Sequence, residues 1–365
     1  MLQNIISFSI RNKLIIMLLT AGLVIWGVYS FTRLPIDAVP DITNNQVQVI
    51  SSAPDLAAPE VERLITFPIE QALATIPGKI ELRSFSRFGL SLVTIVFDDD
   101  TDIYWARQQV TEKLGIASEQ IPAGITRPEL APVTTGLGEI YQYTLDVAPE
   151  FRESYSLSDL RTIQDWIVRR QLIGTPGVAD VSSFGGYLKQ YEVSVRPEEL
   201  VAMNVTLNDV FDALAANNQN TGGSYIEKGE EALLIRTEGL LRSPAEVSRV
   251  VVKPSASGAT VPVLISDVAT VTEGHAVRYG AMTRDTIGEA VGGVVLMLKG
   301  ENSSAVIAGV RNRIASIRKS LPPGISVNPY LDRTKLVDSS IRTVRNNLAE
   351  GALIVIFVLV LLLGN

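Results

Sequence analysis

Residues Gln46 to Ser51 alternate polar with apolar, as a half-buried strand does, and Val61, Leu64, Ile65, Ile69, Ala72, Leu73 and Ile76 then recur at helical spacing. Pro77-Gly78 ends that helix. Ile80 to Ser86 and Leu90 to Phe97 read as strands, Ile103, Ala106, Val110 and Leu114 mark one face of a second helix, and Pro128 to Ala131 is placed to close the sheet. Strand, helix, strand, strand, helix, strand is the order of a split βαβ sandwich of ferredoxin-like type.

The pattern occurs twice. Pro77-Gly78-Lys79-Ile80-Glu81-Leu82-Arg83-Ser84-Phe85 returns 99 positions later as Pro176-Gly177-Val178-Ala179-Asp180-Val181-Ser182-Ser183-Phe184. Ile121-Pro122-Ala123-Gly124-Ile125 returns only 200 positions later, as Leu321-Pro322-Pro323-Gly324-Ile325, so roughly one hundred residues interrupt the second copy. Strands of that copy are expected at Ile140 to Val147, Val178 to Ser183, Val291 to Leu298 and Ile325 to Tyr330. Its helices run through Leu160, Ile163 and Ile167 and over Ser304 to Lys319.

The insertion, Gly185 to Thr283, opens with a strand over Tyr187 to Arg196 and a short helix through Val210, Phe211 and Leu214. Asn217-Asn218-Gln219-Asn220-Thr221-Gly222-Gly223 follows, too polar for a core. It leads into a hairpin, Ser224 to Lys228 and Ala232 to Thr237 about a Gly229-Glu230 turn. With few apolar residues the hairpin reads as a solvated excursion; reaching into a neighbouring subunit is the sharper alternative.

Two runs stand apart. Leu14 to Phe31 carries no charge over 18 residues, close to the roughly 20 that an apolar helix needs to cross a bilayer. Ala352 to Leu363, 12 apolar residues preceded by Arg342, Arg345 and Glu350, reads as the start of a second span. Arg11 and Lys13 precede the first run and most of the 39 acidic residues follow it, which puts the N-terminus in the cytoplasm and the middle of the chain outside it. A cleaved leader is the competing reading, with Val28-Tyr29-Ser30 a tolerable cleavage site, but the run is long for a leader core.

A net charge of −7 without an arginine-rich, aromatic-interleaved face argues against nucleic acid as a partner. With no cysteine, disulfides, thiolate metal sites and cysteine nucleophiles are excluded. His275 is the only histidine, so a multi-histidine zinc site is impossible and a catalytic triad has no supporting motif. No enzyme and no cofactor site is expected. Asp98-Asp99-Asp100 with Asp102, lying between a strand and a helix, suits helix capping better than hard-cation binding. Asp37 and Asp41 alternate with Pro35 and Pro40 and suit a rigid turn. Met17, Met203, Met282 and Met297 are too scattered in sequence to suggest a soft-metal site, and Glu350 reads as solvated at the rim of the second run.

Leu34-Pro35-Ile36-Asp37-Ala38-Val39-Pro40-Asp41-Ile42-Thr43, followed by Gln46-Val47-Gln48-Val49, closely resembles the opening of the heavy-metal efflux pumps of the resistance-nodulation-division superfamily, which export copper and silver or cobalt, zinc and cadmium. Phe67-Pro68-Ile69-Glu70, Thr101 to Arg107, Gly138 to Tyr143, Phe184 to Tyr191 and Tyr330-Leu331-Asp332-Arg333 resemble the same family. The resemblance implies an α+β membrane protein: residues 1–33 as the cytoplasmic N-terminus and first transmembrane helix, 34–132 as a first porter subdomain, 133–184 with 284–332 as a second, 185–283 as an inserted docking subdomain, and 333–365 as a linker helix and truncated second span. It implies a homotrimer in the bacterial inner membrane, largely periplasmic, proton-driven, and joined to a periplasmic adaptor and an outer-membrane channel. The hairpin residues Asn217, Asn218, Asn220, Gly222, Gly223, Tyr225 and Glu227 would contact the next protomer. A complete member of the family is several-fold longer, and its proton-relay and metal-binding residues would lie beyond Asn365. The chain therefore reads as an N-terminal part that does not transport alone. A membrane-anchored periplasmic sensor or adaptor is the alternative class.

Overall fold

The computed structural model describes residues 8, 11–33 and 42–363, apart from 221, 230, 237, 254–260, 279 and 287. Residues 34–41, and with them Asp37 and Asp41, lie outside the described residues. After helix α1 (Lys13–Arg33) comes a first unit made of β1 (Asn45–Ser52), α2 in three contiguous pieces (Ala58–Val61, Glu62–Thr66, Phe67–Leu73), β2 (Lys79–Arg87), β3 (Leu90–Phe97), α3 (Ile103–Gln120) and β4 (Glu129–Leu130). The strands are antiparallel in the order β2-β3-β1-β4. Alternation turns Val47 and Val49 toward the helices, where they are buried with Val93, Ile95, Ala106 and Val110.

The second unit begins with β5 (Glu139–Val147), α4 (Leu157–Ile163, Gln164–Arg169, Arg170–Ile173) and β6 (Val178–Phe184). In both α2 and α4 the middle piece is a π-helical turn. The cause is visible in the buried positions: Val61, Ile65, Ile69 and Leu73, and again Leu160, Gln164, Val168 and Leu172, recur every four residues. A regular α-helix of about 3.6 residues per turn would rotate such a row away from the sheet, and one widened turn brings it back. Both helices are followed by a Pro-Gly step in which Gly78 (φ 72°) and Gly177 (φ 81°) adopt the left-handed conformation that glycine tolerates.

The insertion contains β7 (Lys189–Val195), α5 (Pro197–Ala202), α6 (Leu207–Ala216), β8 (Gly222–Lys228), β9 (Glu231–Arg236), α7 (Pro244–Ser248), β10 (Val251–Lys253), β11 (Val263–Leu264), α8 (Ile265–Val268) and β12 (Ala269–His275). Val205, Val210, Ala213, Val250, Ile265 and Val268 give it a core of its own. On α6 Val210 and Ala213 are buried and Phe211 is exposed.

The chain then returns to the second sheet with β13 (Met282–Arg284), β14 (Gly288–Met297), α9 (Ser303–Ile317) and β15 (Ile325–Asp332). The order is β6-β14-β5-β15, and β13 pairs with the part of β14 that β6 leaves free. The last helix, α10 (Thr334–Leu363), is one continuous element of 30 residues. Among the described residues it alone, over Thr334–Leu362, is long and apolar enough to cross a membrane by length and composition; Lys13–Gly27 is a shorter apolar stretch. Thr334–Leu363, within the expected linker helix and span, form one unbroken helix that no proline interrupts.

Candidate functional site

The element of the insertion most exposed to solvent is the β8–β9 ribbon, whose strands pair only with each other. It leaves from α6. That helix is fixed at its start by a reciprocal cap: Asp209 N donates to Thr206 Oγ1 at 3.1 Å and Thr206 N donates to Asp209 Oδ2 at 2.8 Å. The bonds to the backbone and hydroxyl of Thr206 hold the Asp209 carboxyl below its ordinary value. At the other end Asn217 Nδ2 donates to Ala213 O at 2.8 Å and Gln219 Nε2 to Ala215 O at 3.0 Å.

Asn218 and Asn220 act across the ribbon instead. Their Oδ1 atoms accept from Leu241 N and Gly239 N, each at 3.0 Å. The legs approach closely, for a Cβ added to Gly223 would lie 2.6 Å from Ile235 O.

Farther out, Tyr225 pairs with Leu234 and Ile226 with Leu233. Neighbours along a strand face opposite sides, so Tyr225 and Leu234 occupy one face of the ribbon while Ile226, Leu233 and Ile235 occupy the other. All five are exposed, Leu234 at 84%. The arm therefore carries exposed apolar residues on both faces, more than the few expected of it.

The expected contact residues divide accordingly. Asn217, Asn218 and Asn220 secure the base, Gly222 and Gly223 open β8, and Tyr225 and Glu227 stand on the exposed ribbon. Ile226, Leu233, Leu234 and Ile235 escaped the sequence reading, although the run Ala232-Leu233-Leu234-Ile235 is a signal, being too apolar for a solvated strand.

Asp102 Oδ1 caps α3 by accepting from Trp105 N at 2.7 Å, and Asn302 caps α9 through Ala305 N at 3.1 Å. Asp98 and Thr101 take part through their backbone carbonyls, which accept from Asn45 Nδ2 at 3.1 and 2.6 Å, while Lys299 Nζ lies 3.5 Å from Asn45 Oδ1. Among the described residues no group of three His, Cys, Asp or Glu side chains could hold a metal. His275 lies against Tyr187 with ring centroids 4.6 Å apart. Met297 is buried in the second core, Met203 is exposed, and Glu350 is exposed on α10.

A profile of the AcrB/AcrD/AcrF family matches residues 5–365. The chain belongs to that family. Over its whole length it is 44% identical to the cobalt-zinc-cadmium resistance protein CzcA of Cupriavidus metallidurans, of which it covers 34%. It is 37% identical to the cation efflux system protein CusA of Escherichia coli, again covering 34%. A crystal structure of a heavy metal efflux pump superposes on 99% of the chain with a TM-score of 0.84 at 36% identity, the chain covering 35% of it. The chain thus spans about a third of the length of these AcrB/AcrD/AcrF relatives. They are heavy-metal efflux proteins of the group that the sequence resembles, transporters and not enzymes, and their mixed α/β fold is shared here.

Proposed function

We propose that the chain is the N-terminal part of a proton-driven heavy-metal cation efflux transporter of the bacterial inner membrane, with most of its residues periplasmic. The observation that carries this is similarity along the whole chain to proteins named for resistance to cobalt, zinc, cadmium and nickel. Residues 34–132 and 133–184 with 284–332 serve as porter subdomains beside the substrate cleft, and 185–283 as the docking subdomain. The bilayer holds α1 and the apolar part of α10. The arm supports assembly: a ribbon apolar on both faces is covered by a cleft and not by a flat surface. It inserts into the next protomer, a head-to-tail contact that three copies close into a ring. A periplasmic adaptor and an outer-membrane channel complete the route, and the metal cation is the substrate of the whole transporter.

Expressed in its full reading frame in a metal-sensitive strain without its own pumps, the protein should raise tolerance to at least one of cobalt, zinc, cadmium, copper and silver. Tolerance to none of them overturns the transport reading. Tolerance conferred by residues 1–365 alone overturns the reading of the chain as one part of a larger transporter.

A further inference from the structure

We propose that Asn218 and Asn220 are positioning residues that fix the direction of the arm, and not members of its contact surface. Their use in docking rests on the function proposed above; their geometry does not. In the ribbon Tyr225 stands opposite Leu234, Ile226 opposite Leu233, Glu227 opposite Ala232 and Lys228 opposite Glu231, so each pair of residue numbers sums to 459. Gly222 stands opposite Arg236, one short of that sum, so the register shifts between Gly222 and Tyr225; below the shift the two asparagine bonds, 220 to 239 and 218 to 241, tie one leg to the other. Asn218 and Asn220 lie outside the strand, and there their carboxamide oxygens supply the acceptors between the legs. The two side-chain-to-backbone bonds therefore join the legs at the base of the ribbon.

The returning leg is itself anchored there. Tyr191 Oη donates to Arg242 O, and Arg242 N donates to Glu246 Oε2 at 2.7 Å. The outgoing leg is anchored to α6. With these two bonds in place the supports are joined at the base of the arm; without them the legs are joined only through the ribbon itself, which can swing about its attachments.

The test needs an acceptor at these positions and nothing else of asparagine. Aspartate keeps the oxygen, and leucine has a similar size without it. The chain has no cysteine, so Asp212→Cys on α6 and Lys228→Cys at the arm tip take spin labels uniquely in the whole chain in detergent. The expected result is a narrow distance distribution for the parent and for Asn218→Asp/Asn220→Asp, and a broad one for Asn218→Leu/Asn220→Leu. Amide exchange at Gly239 and Leu241 should quicken about tenfold in the leucine variant alone, the effect of losing one exposed hydrogen bond. Equal widths in all three proteins, or equal exchange, overturn the proposal. Both readouts belong to the single chain, so a chain that stays monomeric counts against insertion into a neighbour and leaves the comparison of widths to decide the role of the asparagines.

Discussion

Replacing Leu234 by serine separates assembly from folding. The side chain is 84% exposed and pairs across the ribbon with Tyr225, so the single chain loses almost nothing when it is shortened. Inside a neighbouring protomer the same side chain would be buried, and full burial of a leucine is worth about 2 kcal/mol. A closed ring of three copies repeats the contact three times, about 6 kcal/mol in all, or roughly four powers of ten in the trimer association constant. Sedimentation in detergent over a concentration series should show L234S as monomer where the parent is trimer, with thermal unfolding unchanged. A variant that trimerises at the parent's concentrations, or one that unfolds several degrees lower, would refute the assignment of Leu234 to an intersubunit contact.

Other substitutions probe the fold itself. Leu172→Ala empties a fully buried site and should cost about 3 kcal/mol in urea unfolding, where L234S costs none. Gly78→Ala, at φ 72° with open space around it, should cost about 1 kcal/mol of left-handed strain; Gly177→Ala should cost clearly more, because its Cβ would also lie 2.4 Å from Val306 Cγ2. Burial alone would raise the Asp146 carboxyl, but bonds from Asn328, Arg284 and Thr144 outweigh it and hold the group below its usual value. The unfolded chain, with an aspartate near 3.9, then binds the proton first, so this contribution is present above about pH 4 and is lost as pH falls through the lower folded value. Urea midpoints of Asp146→Asn should therefore depend less on pH below about 4 than those of the parent, and equal slopes would contradict the linkage.

The repeat was legible because its punctuation is chemical. Pro-Gly steps and apolar alternation located β3 at its observed limits and the other repeat strands within about three residues, the usual error at element ends. The π turns were missed although their cause is written in the sequence: a strict four-residue recurrence was read as ordinary helical spacing, and Gln164, a polar residue on the buried row, hid the second instance. Gln164 is tolerated there because Tyr143 Oη and Gln164 exchange hydrogen bonds inside the core, a pairing across 21 positions that no local pattern signals. The arm was located, but its apolar content was undercounted. Its asparagine-rich base suggested a polar element, whereas those side chains are engaged with the chain's own backbone, and exposed apolar residues farther out alternate onto both faces.

In the first unit β2 passes to β3 through two residues, Phe88 and Gly89; at the corresponding crossing of the second unit stands the entire insertion. A graft on a hairpin tip begins and ends at adjacent strands, about 5 Å apart, so it asks nothing of the sheet beneath. Exchange of that module between relatives would leave the strands of the second sheet as they are, so the insertion and the sheet beneath it are free to diverge separately.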